Sequence, residues 1–359
     1  MFAHDMKWTE DLLMQKLCDR QRQIRLAMYA LHCHAGHSLY CKIIKLSTIK
    51  QYVRAAASFV KLWSPDRMDP RCDEPNTDKT GHILAKVYKE MDRYEKVPDR
   101  QEPFTITMLD FAIDMAKDAD PDSMLAALAD WYIVGLHLGL RKSEWAQPQN
   151  SMKQILKYAL DVFGDSRAFT IIDLQVETKK GSRRKAHSIT AVNVEILAKI
   201  WVTFRTQKNG DNGDKKLLLA NTENPKRCAV RAFYRIIERF QRLMGTSDEA
   251  TPLAMYATSS GPQFVTPDVI EKHMRTIAAH VHNLDPVKDK DELARWSSHS
   301  LRIGACVILY TMGFTETHLK FLLRWKSDAF MSYLRNVAAV AQQQTLALDK
   351  AAAMPLFLR

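Results

Sequence analysis

The chain has 359 residues, 46% of them apolar, and a formal net charge of +11. That length and apolar content exclude a disordered tail or a small stapled scaffold and allow two domains with separate cores. The six cysteines (18, 33, 41, 72, 228 and 306) are too scattered for a disulfide framework, and no apolar run reaches the roughly 18 residues of a membrane span.

The first residues, Met-Phe-Ala-His-Asp-Met-Lys-Trp, lack the apolar stretch of a signal peptide, so an intracellular protein is expected: nuclear in a eukaryotic cell, cytoplasmic in a prokaryotic one. The basic balance favours a polyanionic partner, most often nucleic acid. Residues 8–63 read as helices. Leu12, Leu13 and Leu17 lead into Ile24, Leu26, Met28 and Leu31, and a second helix opens at the N-cap candidates Ser47 and Thr48, continuing through Ile49, Tyr52, Val53, Ala56, Phe59 and Val60. Segment 64–80, with three prolines and no apolar period, is a loop, and a helix follows over 82–95. Lys96 to Pro103 reads as a linker. The expected organisation is a helical domain over 1–95, a second domain over 104–340 and a tail over 341–359.

In the second domain, helices are expected over 105–117 and 122–138. Strand-like runs at 169–176 and 187–190 flank a basic turn at 179–185, and runs at 200–206 and 216–219 flank a turn that holds Asn-Gly twice, the strongest short hairpin signal. Helices then dominate: 226–244, 266–282, 298–312, 315–323 and 327–340. The fold class is therefore mainly α with one small antiparallel sheet.

A few polar side chains interrupt these apolar segments. Arg141 follows Gly139 at the end of a buried helix, where a cation also suits the helix terminus, and Glu144 lies within one turn of it. His299 and Arg302 share the first turn of a helix capped by Ser297 or Ser298, a place where backbone N–H groups favour an anion. Trp325 and Tyr333 follow the next helix, eight residues apart. Tyr310, the other tyrosine nearby, lies in an apolar stretch and reads as core. One rival signal is His32, Cys33, His34, His37 and Cys41. With no CxxC and no second ligand cluster, packed cysteines and surface histidines explain them better than zinc, and no metal or cofactor is expected.

Gly-Leu-Arg-Lys-Ser-Glu-Trp (139–145), Ser-His-Ser-Leu-Arg (298–302) and Arg-Trp-Lys-Ser-Asp-Ala-Phe-Met-Ser-Tyr-Leu-Arg (324–335) together resemble the tyrosine recombinase (phage-integrase) family. The spacing of eight between Trp325 and Tyr333, and the wording before Tyr333, look most like the recombinases of eukaryotic mobile elements such as Cryptons and DIRS-type retroelements. The resemblance covers about 104–340 as the catalytic domain and matches 8–95, in type, to a core-binding domain; the two would clamp duplex DNA. It implies that Arg141, His299 and Arg302 bind a scissile phosphate, that Glu144 supports Arg141, that Trp325 adds a donor, and that Tyr333 attacks to form a 3′-phosphotyrosine. It further implies a hairpin lysine that protonates the leaving 5′ oxygen. Lys208 is the favoured candidate, with Lys179, Lys180 and Lys185 in competition; the latter, with Arg183 and Arg184, read better as a basic turn gripping DNA phosphates. A homo-oligomer on DNA, dimer or tetramer, and no ATP or metal complete the expectation. Three readings stay open beside it: a type IB topoisomerase-like enzyme, a domesticated, catalytically inactive DNA-binding protein, and a helical scaffold protein in which these motifs occur by chance.

Overall fold

A computed structural model describes residues 14, 16–37, 43–74, 77, 79–95, 100–147, 168–186, 196–205, 207, 211–245 and 249–334. The chain divides into two compact units, Met1–Pro98 and Asp99–Arg359. The architecture is mainly helical with a small antiparallel sheet, and no helix among the described residues is long and apolar enough to cross a membrane.

Among the described residues, three helices form the first unit: α1 (Asp19–His34), α2 (Leu46–Trp63) and α3 (His82–Tyr94). Leu46, Ile49, Val53, Ala57 and Val60 recur every three or four residues along α2 and are buried, the stripe a core-facing helix requires. The first four of these meet Leu26, Ala30 and Cys33 of α1 and Leu84 and Met91 of α3. Helix α2 starts at Leu46, ahead of the expected Ser47–Thr48 cap, because the Glu95 carboxylate accepts a hydrogen bond from the Leu46 backbone N–H at 2.8 Å. The loop after α2 is tied down: buried Arg22 donates to Met68 O, Gln23 donates to Cys72 O, and Arg67 donates to Leu17 O. Cys33 is in the core, His32 and His37 stack with ring centres 5.0 Å apart, and Cys41 lies outside the described residues.

The second unit opens with α4 (Ile106–Met115) and α5 (Met124–Leu138), capped by the hydroxyls of Thr105 and Ser123, which accept from the N–H of Met108 and Ala126. Helix α5 is buried nearly all round, from Ala127 to Leu138, and so forms the central rod of this unit. A sheet follows, made of β1 (Leu174–Thr178), β2 (Arg183–Lys185), β3 (Leu197–Phe204) and β4 (Asp214–Leu219), in the order β2-β1-β3-β4 with every pairing antiparallel. Leu197, Ile200, Val202 and Phe204 face the core from β3, and Leu174 and Val176 from β1. The first hairpin is tighter than the sequence suggested. Gly181, at φ +80°, lets the chain reverse within Lys179–Ser182, so Arg183, Arg184 and Lys185 belong to a strand rather than to the turn. Residues 187–190, expected as a strand, lie outside the described residues.

Next come α6 (Ala229–Met244), the hairpin β5 (Met255–Thr258) and β6 (Gly261–Phe264), α7 (Pro267–Val281), the short α8 (Lys290–Leu293), α9 (Ser300–Thr311), α10 (Glu316–Leu323) and α11 (Met331–Leu334). The β5–β6 hairpin had no counterpart in the sequence reading, since Ala-Met-Tyr-Ala-Thr lacks a polar–apolar alternation. Helix α11 follows a 3-10 turn, Asp328–Phe330, that begins after Ser327; the rest of the expected helix to 340, and the tail, lie outside the described residues.

Helix α9 carries two of the singled-out residues, and its seat depends on one glycine. A Cβ at Gly304 would stand 2.1 Å from the Phe104 carbonyl oxygen, a backbone atom that cannot swing aside. Phe104 N–H also bonds Ser300 O at 3.0 Å, which fixes the close approach. Gly304→Ala is therefore expected to cost about 1–3 kcal/mol, as overpacked cores do. A thermal melt checks it, with Gly181→Ala no proper control because of its left-handed φ; an unchanged Tm for Gly304→Ala would mean that α9 can shift away from Phe104.

Candidate active site

Four stretches of the second unit converge: the end of α5, the start of α9, the end of α10, and α11. Helix α5 stops because Gly139 is left-handed, at φ +57°, and a side chain there would stand 2.4 Å from Leu323 Cδ2. The chain then turns through Arg141 into a 3-10 turn, Lys142–Glu144, that folds Glu144 back under Arg141. Glu144 is 4% exposed. Its Oε2 accepts from the Arg141 backbone N–H at 2.8 Å, and its Oε1 accepts from Arg141 Nη1 at 3.0 Å. These bonds fix both the backbone and the guanidinium of Arg141.

At the start of α9 the capping residue is His299 rather than Ser297 or Ser298. The serines still organise the turn: Ser297 Oγ accepts from His299 N–H at 3.2 Å, and Ser300 Oγ accepts from Ser297 N–H at 3.1 Å. Arg302 points inward and is 1% exposed. Its Nη1 donates to Gly139 O and its Nη2 to Leu323 O, at 2.6 Å. Both acceptors sit where a helix ends, so the negative ends of α5 and α10 face this cation.

Helix α10 ends at Arg324, which the sequence reading did not single out. It is a left-handed residue at φ +57°, and buried. Its Nη1 donates to Leu138 O and its Nη2 to Glu144 Oε2, each at 2.9 Å, while its guanidinium lies 3.7 Å from the centre of the Phe204 ring. The signal was faint: an arginine at the position after a helix where glycine is usual. Trp325 follows. The Arg302 guanidinium lies 4.6 Å from its ring centre, and Phe330 stacks on it at 5.3 Å.

Helix α11 delivers Tyr333. Its hydroxyl lies 2.8 Å from His299 Nε2, and its ring meets those of His299 and Trp325 at 5.4 and 5.7 Å. Tyr310 and Tyr333 both pack against the apolar cluster around Val307 and Phe330, and it is the Tyr333 hydroxyl that meets His299.

The electrostatics are unbalanced. Arg141 and Arg324 share the carboxylate of Glu144, while Arg302 has only backbone carbonyls as hydrogen-bond partners here. Burial, then the charges of Arg141 and Arg324, hold the Arg302 pKa down to about 9, so it stays protonated at neutral pH. Burial, then Arg302 and Arg141, push His299 down to about 4, so its imidazole is neutral and can accept a proton. Burial raises Tyr333 above the ordinary phenol value, while Arg302 and Arg141 pull the other way. An arrangement with an excess of buried positive charge, a neutral base and a hydroxyl bonded to that base is suited to a phosphate-sized anion beside a nucleophile.

The structure thus brings together Arg141, Glu144, His299, Arg302, Trp325 and Tyr333. Lys208 lies outside the described residues. The end of the sheet from which its turn departs adjoins the site, since Phe204 underlies Arg324 and Asp211 pairs with Lys326 at 2.8 Å. The β1–β2 turn stands at the opposite end, where Lys179 N–H bonds Ile196 O, roughly 25 Å along β3 by strand rise. Lys179, Lys180, Arg183, Arg184 and Lys185 are exposed there, with Arg183 lying over the Trp201 ring at 4.4 Å. Among the described residues no group of histidine, cysteine and carboxylate side chains could hold a metal ion.

No protein-family model matches the chain, and no curated protein matches it. Solved structures with a similar path include the Tn1549 transposon integrase with transposon right-end DNA (13% identity, TM-score 0.43, 91% of this chain and 85% of that one). A variant of the same integrase with a circular intermediate DNA gives 14% identity and a TM-score of 0.44, over 96% of this chain and 94% of that one. At that level of likeness the chemistry must be read from this chain's own side chains.

His299 and His273, whose ring bonds the Tyr132 hydroxyl, both have pKa values near 4 through burial. Their unfolded value is about 6.5. Below that pH the unfolded chain binds protons that the folded one does not, so stability is full above pH 6.5 and falls as the pH drops toward 4. At pH 5 the loss should be about 1–2 kcal/mol for each histidine. His299→Asn should melt with a smaller acid-induced drop between pH 6.5 and 5 than the parent; an equal drop would place the protonation elsewhere.

Proposed function

We propose that this protein is a tyrosine recombinase that breaks and rejoins DNA strands through a 3′-phosphotyrosine intermediate. The observation that carries the reading is the Tyr333 hydroxyl bonded to a neutral His299 beside the guanidiniums of Arg141, Arg302 and Arg324, two of which share the Glu144 carboxylate. A phenol is a poor nucleophile at neutral pH, and burial makes Tyr333 poorer still. Two features offset this: an acceptor for its proton at 2.8 Å, and positive charge that stabilises both the phenolate and the phosphorane-like transition state.

In the proposed cycle a scissile phosphate sits among Arg141, Arg302 and His299. Tyr333 Oη attacks phosphorus, and its proton passes to His299 Nε2. The bond from phosphorus to the 5′ oxygen breaks, and that oxygen leaves with a proton from an acid, a role the family resemblance gives to Lys208. The 3′-phosphotyrosine conserves the phosphodiester energy, so a 5′ hydroxyl from another strand reverses the attack without ATP. Trp325 supports this geometry by facing Arg302 and packing against Tyr333. Duplex DNA is the partner, with a homo-oligomer assembling on it and the exposed 179–185 turn contacting phosphates away from the cut. The wording of 324–335 makes a mobile element of the Crypton or DIRS type the narrower reading.

Tyr333→Phe keeps the ring and its packing but deletes the attacking oxygen. It should retain DNA affinity and folding while losing the covalent adduct on nicked or suicide substrates, whereas Tyr310→Phe should keep the adduct. Arg302→Ala should slow adduct formation about 10²–10³-fold, the scale for losing a donor aimed at developing charge. A denaturing gel reads all three. An adduct formed by Tyr333→Phe but not by Tyr310→Phe would reassign the nucleophile. Wild-type protein that binds DNA and forms no adduct would leave the inactive DNA-binding protein as the better reading, and strand passage without joining of two sites would favour the topoisomerase.

A further inference from the structure

We infer that Arg324 is a positioning residue that aims Arg141 through Glu144, and that the left-handed backbone at Arg324 exists to make this possible. The inference rests on the recombinase reading above and adds to it a buried residue that acts through Glu144.

The backbone is the first observation. Among the described residues only Met14, Asn283 and Arg324 combine a side chain with a positive φ. Asparagine tolerates this region because its short amide bonds locally, but arginine gains nothing of that kind and pays a steric penalty. Glycine would end α10 at this position without strain, as Gly139 ends α5.

What the strained backbone secures is the guanidinium beneath it. Arg324 is 7% exposed, and burial lowers its pKa. It reaches Leu138 O, Glu144 Oε2 and the face of Phe204, and so links the end of α5, the turn under Arg141 and the end of β3. Glu144 Oε2 is the shared atom: it accepts from Arg324 Nη2 and from the Arg141 backbone N–H. Its other oxygen holds Arg141 Nη1. The Arg324 carbonyl oxygen accepts from Arg141 Nη2 at 3.4 Å, so the same residue frames Arg141 from two sides.

Charge gives the arrangement its purpose. With Arg324 removed, the buried Glu144 carboxylate would have Arg141 as its one guanidinium partner in this cluster. It would then draw Arg141 inward and neutralise the cation meant for phosphate. Arg324 satisfies half of the carboxylate, leaving Arg141 oriented and still available. A planar fork can do this, donating to a carbonyl and a carboxylate at once while stacking on an aromatic ring, whereas a lysine ammonium has neither the two fixed donors nor the flat face.

The test uses full-length protein and nicked suicide duplexes. One duplex carries an ordinary scissile phosphate, and the other carries a methylphosphonate, whose methyl group replaces one non-bridging oxygen and removes the charge that Arg141 would neutralise. Arg324→Gly relieves the backbone while deleting the guanidinium, and it should keep DNA affinity. Its adduct should form roughly 10²-fold more slowly on phosphate, as when a reacting group is misplaced. That shortfall should shrink at least tenfold on the methylphosphonate. Arg324→Lys, which keeps the cation in case the glycine variant does not fold, should show the same pattern at about a tenth of the size. The Arg324→Gly and Glu144→Gln double variant should be no slower than Glu144→Gln alone. Wild-type rates in either folded Arg324 variant, or equal losses on both duplexes, would overturn the proposal. Wild type without any adduct would instead overturn the recombinase reading beneath it.

Discussion

Three guanidinium groups lie close together under the surface of the second unit, with one carboxylate among them. Burying that much like charge is costly unless each cation finds hydrogen-bond acceptors. The fold supplies them from its own backbone: Leu138, Gly139 and Leu323 all turn carbonyl oxygens toward Arg302 and Arg324. Those carbonyls are free because α5 and α10 both end in left-handed residues, which break the helices while their last acceptors still point at the cations. The position of every other group at the site follows from this convergence of helix ends.

The same constraint explains where Tyr333 sits. Arg302 fixes the end of α10, and the chain leaves it through Trp325, whose ring packs on both Arg302 and Phe330. Phe330 is buried and anchors the short turn ahead of α11, so Tyr333 arrives with its hydroxyl at His299. His299 is neutral because it is buried beside the cations, and only a neutral imidazole can accept the tyrosine proton. The positive field that disfavours imidazolium also makes His299 a weak base, and an anionic phosphate bound beside it would raise its basicity by offsetting that field.

Much of this could be read from residues in order. The apolar stripe of α2, the predominantly apolar α5 and the two Asn-Gly steps before β4 each point to one local structure, because period and turn chemistry are local properties. Arg141 with Glu144 and His299 with Arg302 were legible as pairs, since three residues apart in a helical turn means neighbours. The tight first hairpin was less legible because a single glycine, Gly181, decided where the basic run stops being turn and becomes strand. The β5–β6 pair has no alternating pattern of its own, because Met255 and Tyr256 are both buried at adjacent positions.

The sequence by itself determined the fold class, most element types and most of the chemical inventory of the site, all of which depend on neighbours along the chain; it did not show the β5–β6 hairpin or Arg324. Only the tertiary structure decided that Glu144 serves two arginines, that Arg324 is the second, and that Tyr333 rather than Tyr310 meets His299. The reason is separation. Arg324 lies 180 residues from Glu144, and their contact follows from how α10 docks on the end of α5, which no local pattern encodes. Arg324 would read locally as an ordinary cation near a helix end; its burial, its left-handed backbone and its partners exist only once the two helix ends face each other.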